Sequence, residues 1–206
     1  QAEVQVSASP DQLKNCKKIL QTKCLDETFD GCLTFVIGEN GKDLALKYGL
    51  PAKQIIKTGN WLGPLLVAAA ENGVKQLLLF GYHGKLIKLS GGIFHTHHHL
   101  ADGRIEILTS LAVREGISFD VIKLLSKSTS VENALLALES NNAEDVAMIW
   151  SRMAQEIEIQ SLSYVNRYLS SSIEIGSVLF DRKRQIRWAG FQGLKHINSL
   201  GLILKS

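Results

Sequence analysis

Lys75-Gln-Leu-Leu-Leu-Phe-Gly-Tyr-His-Gly-Lys-Leu-Ile-Lys-Leu-Ser90 is the stretch on which the fold turns. Lys75 to Phe80 is a short apolar run closed by glycine, the pattern of a buried strand. Gly84 and Lys85 then open a helix. Working back towards the amino terminus, the same grammar repeats. Cys32 to Ile37 reads as a strand, Gly38-Glu-Asn-Gly41 as a turn, and Asp43 to Tyr48 as a helix closed by Gly49. Lys53 to Thr58 reads as a second strand and Gly59-Asn60 as a tight turn. Trp61 to Asn72 reads as a helix that tolerates Pro64 in its first turn. Strand, helix, strand, helix, strand with short connections demands right-handed crossovers and a parallel sheet. The expectation is therefore an α/β fold, a mainly parallel sheet with helices on both faces.

Working forward, the pattern turns helical. Ile105 to Glu115, Phe119 to Leu125, Val131 to Glu139 behind the capping candidate Ser130, and a long helix opening at Asn142 and Asp145 follow in turn. Trp150 and Met153 sit at core spacing on that last helix. Glu174 to Phe180 and Gln185 to Ala189 flank Asp181-Arg-Lys-Arg184, which predicts an antiparallel hairpin at a sheet edge, before a short terminal helix and strand. Pro10-Asp11 starts a helical lead-in within residues 1–30. The whole 1–206 is read as one α/β domain, with no repeats.

Composition narrows the function. With 206 residues, 45% of them hydrophobic, the chain buries a core without staples. Cys16, Cys24 and Cys32 are odd in number and evenly spaced by eight, which supports neither a disulfide framework nor a four-ligand zinc site. A net charge of +3, with its one basic cluster at Arg182-Lys183-Arg184 in a turn, does not suggest nucleic acid. No apolar run is long enough for a membrane span and no signal-peptide pattern opens the sequence, so no membrane partner is expected and the cytoplasm is the expected compartment.

In a parallel sheet the turns Gly38–Gly41, Gly59-Asn60 and Gly81–Gly84 share the carboxyl edge, where open α/β folds bind ligands. Lys85 and Lys88 lie one turn apart at a helix start and point to an anionic ligand; Lys88 could equally solvate a helix face. The spacing is not that of a phosphate-binding Gly-x4-Gly-Lys-Ser/Thr loop, because Leu86 follows Lys85. His95-Thr-His-His-His99 with Asp102 resembles a metal site in composition only. Adjacent side chains in one short segment diverge, no His-Glu-x-x-His pair exists, and no metal ligand is assigned. His97 and Asp102 stand as candidates for acid/base work, and Asp102 equally suits the cap of the next helix. A metal-dependent hydrolase through His97, His99 and Asp102 is the weakest reading.

Taken together, Thr58-Gly-Asn60, Gly84-Lys-Leu-Ile-Lys-Leu89, Gly92-Ile-Phe-His-Thr-His97 and Ala101-Asp-Gly-Arg-Ile-Glu106 resemble the signature of the CbiD family, the cobalt-precorrin-5B (C-1)-methyltransferases of anaerobic cobalamin synthesis. The resemblance is to the family's carboxyl-terminal half and implies that the chain is part of a longer protein. Tyr82 stands where the family has His, and His95-Thr-His-His98 replaces Asn-Thr-His-Ser, so the resemblance assigns no role to His83, His95, His98 or His99. It implies methyl transfer from S-adenosylmethionine to C-1 of a cobalt-bearing, carboxylate-rimmed tetrapyrrole. Under it, Lys85, Lys88, Thr96 and Arg104 bind substrate; Gly59, Asn60, Gly81 and Gly84 bind the methyl donor; and His97 and Asp102 are the catalytic candidates. The acidic-x-Gly-x-Gly-x-Gly turn of Rossmann-like methyltransferases is absent. The alternative is a non-catalytic tetrapyrrole- or subunit-binding domain, and a homodimer is an open assembly.

Overall fold

A computed structural model describes residues 10–38, 40–97 and 99–204. Five strands form one sheet in the order β2-β1-β3-β4-β5. They are β1 (Cys32–Ile37), β2 (Ile55–Thr58), β3 (Gln76–Tyr82), β4 (Glu174–Phe180) and β5 (Ile186–Ala189). β1 to β4 run parallel and β5 returns antiparallel on β4 at the edge. The α/β expectation with an edge hairpin is met. Its first strand, β4, goes further than expected. It pairs with β3 along seven residues, so within the hairpin β4 is interior and β5 forms the edge, with β2 at the opposite edge.

Side chains alternate across each strand, so each strand feeds two cores. Leu33, Phe35, Ile37, Leu77, Leu79, Ile175 and Leu179 face one layer of helices. That layer comprises α1 (Pro10–Leu25), α3 (Leu62–Glu71), α4 (His83–Ser90), α5 (Arg104–Arg114), α6 (Phe119–Ser126), α7 (Val131–Glu139) and α8 (Ala143–Asn166). Val36, Leu78, Phe80, Val178 and Phe180 face the other layer, built on α2 (Lys42–Lys47) and α9 (Phe191–Ser199). Trp150 and Met153 of α8 are fully buried, as their spacing implied. Ser130 caps α7 by accepting the Asn133 N–H at 3.1 Å. The expected terminal strand is not found among the described residues. Leu202 and Leu204 instead pack as irregular chain against the second core.

Parallel pairing of β1, β2 and β3 brings Gly38, Gly59-Asn60 and Tyr82-His83 to one edge, but the expected turn Gly81–Gly84 is not there: Gly81 and Tyr82 complete β3, and His83 and Gly84 open α4 directly. The carboxyl end of β4, with buried Asp181, joins them.

Candidate functional site

The edge is roofed by the loop from Gly91 to Gly103, which crosses from the end of α4 to the start of α5. Its backbone is stitched to the turn after β2. The Leu62 and Gly63 N–H groups donate to the Phe94 carbonyl at 3.0 and 3.2 Å, and the Thr96 N–H donates to the Asn60 carbonyl at 3.0 Å. The Thr96 hydroxyl donates to Asn60 Oδ1 at 2.8 Å, and His95 meets Trp61 edge-on at 4.5 Å between ring centroids. Thr96 and Asn60, assigned from the sequence to substrate and methyl donor respectively, are thus hydrogen-bonded to each other. Burial pushes the His95 imidazole below its ordinary value.

Lys88 does not lie where the sequence reading placed it. Its side chain is buried beneath the loop, and its amine donates to the His97 carbonyl at 3.2 Å and to the Ala101 carbonyl. Burial lowers its pKa. An aliphatic stem threaded into an apolar helix face leaves only the amine needing acceptors, and two loop carbonyls supply them. In this arrangement Lys88 clamps the loop.

Asp102 and Arg104 form a fork. Arg104 Nε donates to Oδ1 at 2.8 Å and Nη2 to Oδ2 at 2.7 Å. The guanidinium beside it holds the Asp102 carboxyl down at about 2. Asp102 Oδ1 also accepts the Arg104 N–H at 3.3 Å, as its position before α5 suggested. A carboxylate so engaged is ionised at neutral pH and serves to orient Arg104 rather than to exchange protons. Arg104 Nη1 reaches the Gly84 carbonyl at 3.4 Å, so it stands over the first turn of α4. An open cleft of about 340 Å³ runs beside this pair, lined by Ser126, Ser128, Thr129 and Ser130.

Lys85 is half-buried at the edge. Its stem and amine lie 3.7 and 3.8 Å from where a Cβ would stand on Gly38, a residue with φ of +99° that favours glycine. Gly84 and Gly81 have reasons inside the fold. A Cβ on Gly84 would meet the Tyr82 ring at 2.5 Å, and one on Gly81 the Ile37 carbonyl at 3.1 Å. Gly59 packs against the Gln12 side chain of α1. His97 is half-buried, its ring 5.0 Å from that of His99, whose N–H donates to His97 Nδ1 at 3.3 Å. His98 lies outside the described residues. Among the described residues no group of three or more His, Cys, Asp or Glu side chains is placed to hold a metal ion. No helix among them is long and apolar enough to cross a membrane.

One constellation was not anticipated. His83 is fully buried at the start of α4. Its Nδ1 accepts from Trp150 Nε1–H at 2.9 Å, which leaves the proton on Nε2, 2.8 Å from Glu132 Oε2. The Tyr82 hydroxyl donates to the same oxygen at 3.1 Å. Burial first pushes the His83 imidazole below its ordinary value, and burial together with Glu132 pushes the Tyr82 hydroxyl far up. Glu132 is 49 residues from His83 in sequence, and nothing in the α7 pattern marks it.

Comparison with known proteins fits this chain to a family. Residues 95–190 match the family model described as CbiD, C-terminal domain. Over 205 residues the chain is 84% identical to a protein of Prochlorococcus marinus strain NATL1A named cobalt-precorrin-5B C(1)-methyltransferase, covering 100% of this chain and 54% of that protein. A relative of the same name from strain NATL2A is 83% identical over the same shares. Another, from strain MIT 9313, is 55% identical over 98% of this chain and 53% of that protein. The chain belongs to the CbiD family. It spans about half the length of the curated relatives it matches. No solved structure matches it. The CbiD match begins at His95 and takes in Thr96, Asp102, Arg104 and Glu132, whereas Lys85 and the Gly-rich turns precede it.

Proposed function

We propose that this chain is the part of a cobalt-precorrin-5B C(1)-methyltransferase that builds the tetrapyrrole edge of the active site, with S-adenosylmethionine as methyl donor. The observation that carries the reading is the 84% identity along the full chain to a protein of that name. The geometry adds support. A half-buried amine, Lys85, lies against the glycine turn after β1, and an oriented guanidinium, Arg104, stands at the mouth of the cleft. Both suit carboxylates on the rim of the substrate, Arg104 through the Nη donors that Asp102 leaves over and Lys85 as a point charge. Thr96 and Asn60 hold the roof of the site, with Gly59, Gly81 and Gly84 keeping its floor close to the backbone. His97, half-buried in the loop, is the remaining candidate for moving a proton. In transfer from a sulfonium the protein mainly aligns donor and acceptor, so binding and orientation are the work assigned here. The site is reached from solvent and the protein works in the cytoplasm in this reading.

The coverage of about half of each relative favours a second reading, in which this half binds the tetrapyrrole and the chemistry needs the rest of the chain. One assay separates them: methyl transfer from labelled S-adenosylmethionine by this chain and by the chain at its relatives' full length. Equal turnover eliminates the binding-only reading. Tetrapyrrole binding without turnover by the short chain establishes it, and absence of both binding and turnover from the full-length protein overturns the function.

A further inference from the structure

At the carboxyl edge most charged groups already have opposite partners. Arg104 is held by Asp102, Arg187 by Glu139 at 2.6 Å and Asp181 at 3.5 Å, and Arg184 by Asp43 at 2.6 Å. Among the described residues Lys85 and Arg182 lack such a partner, and on the acidic side so does Glu132. Its side chain is only 11% exposed, yet its partners are a phenol and an imidazole whose accepted Trp150 bond keeps it neutral. Both donors bind Oε2. Oε1 has no hydrogen-bond partner among the described residues and is not sealed from the surface. Arg182 is exposed and acts on Tyr82 only at a distance, without an ion pair to Glu132. A carboxylate withdrawn from water without a cation is expensive, and the Trp150–His83 chain keeps it in place beside the Tyr82 hydroxyl. That ring in turn rests on Gly84, under the Arg104 guanidinium. Glu132 is therefore continuous with the site.

We propose that Glu132, with the Tyr82 ring beside it, receives the positively charged part of the methyl donor, its sulfonium or its α-ammonium. A carboxylate and an aromatic face both attract a cation, and the buried His83 and Trp150 act as positioning residues that aim Oε1. This assignment rests on the methyltransferase reading above.

The test uses the chain at its relatives' full length, titrated calorimetrically with S-adenosylmethionine and with S-adenosylhomocysteine, which keeps the ammonium and lacks the sulfonium. Glu132→Gln keeps an amide oxygen for Tyr82 and His83 and removes the charge. We expect a melting temperature within about 2 °C of the wild type and S-adenosylmethionine binding weakened by about tenfold or more. A loss shared by both ligands identifies the ammonium, and a loss confined to S-adenosylmethionine identifies the sulfonium. Affinity unchanged within about twofold overturns the proposal and leaves Glu132 as a structural link between α4 and α7. Should Glu132→Gln not fold, the wild type decides with the desamino analogue of S-adenosylhomocysteine, which keeps the carboxylate and lacks both cations. Binding about tenfold weaker than S-adenosylmethionine supports a cation subsite, and equal binding overturns it. A wild type that binds tetrapyrrole but neither adenosyl ligand overturns the methyl-donor reading itself, an outcome distinct from a failure of Glu132 alone.

Discussion

The starts of α4 and α9 pose the same physical problem and solve it in opposite ways. Each helix begins with backbone N–H groups that lack helical acceptors, and neither has a side-chain cap from its own N-cap residue. At α9 the answer is internal. Glu158, reaching from α8, accepts the Gln192 N–H at 2.9 Å, the Gly193 N–H at 2.8 Å and the Ser177 N–H of β4 at 2.9 Å. A Cβ on Gly190 would stand 2.1 Å from that carboxylate, so the helix start, the strand and α8 are closed around one buried anion. At α4 no carboxylate of the described residues plugs the first turn, and Lys85 and Arg104 stand beside it instead. One helix start is sealed for stability, while the other keeps positive charge at the edge where parallel strands end. A helix terminus becomes a candidate site when the fold leaves its electrostatics unfinished.

The largest effect that could break this contrast lies at the sealed end. Glu158→Ala should leave three N–H donors, two of them buried, without an acceptor and cost about 3 kcal/mol or more. A urea melt reads the loss, and ligand affinity of the folded protein should not change. A cost under about 1 kcal/mol would show that water replaces the carboxylate and that the end is not sealed.

At the open end, Lys85→Met keeps the aliphatic stem and removes the charge. Tetrapyrrole binding should weaken by about 1 to 3 kcal/mol, while stability stays within about 0.5 kcal/mol. A large fall in melting temperature with unchanged binding would make Lys85 structural and erase the difference between the two helix starts.

Between the two ends lies the pH response of His83. Its folded pKa is depressed below its ordinary value, so its contribution to stability is present above about 6.5 and is lost as pH falls through the folded value. His196, also buried and depressed, acts in the same direction from α9. Denaturant midpoints measured from pH 7 to pH 5 should fall, and His83→Gln should flatten the slope by its share. An unchanged slope would mean that His83 is not held neutral by its burial.

The smallest effect belongs to Asp102→Asn. The pair with Arg104 is half-exposed, so the stability change should stay under about 1 kcal/mol. The informative readout is binding: freeing the Arg104 fork should alter substrate affinity, and its failure to do so would separate Arg104 from the site.

The alternation from Cys32 to Phe80 was legible because strand and helix periods are local, and parallel pairing follows from short crossovers alone. The shared glycine edge, Ser130 as a cap and the buried Trp150 followed from the same local signals. Lys88 was misread because its neighbours on the helix show a charge without showing whether a loop folds over it. The edge hairpin of β4 and β5 was legible, while its attachment to β3 was not, because nothing in a strand names its partner. Glu132 and Glu158 were invisible for a related reason: each lies on a helix whose pattern permits a solvated carboxylate at that position.

By itself, then, the sequence determined the α/β class, the carboxyl-edge location and the family signature, since all three depend on spacing within short segments. Only the tertiary structure decided which charged groups are spent. It tied Lys88 to loop carbonyls, Asp102 to Arg104 and Glu158 to three backbone donors, and left Lys85 among the described residues without an ion pair. The physical reason is that a charge acts through what surrounds it, and those surroundings are assembled from residues tens of positions apart.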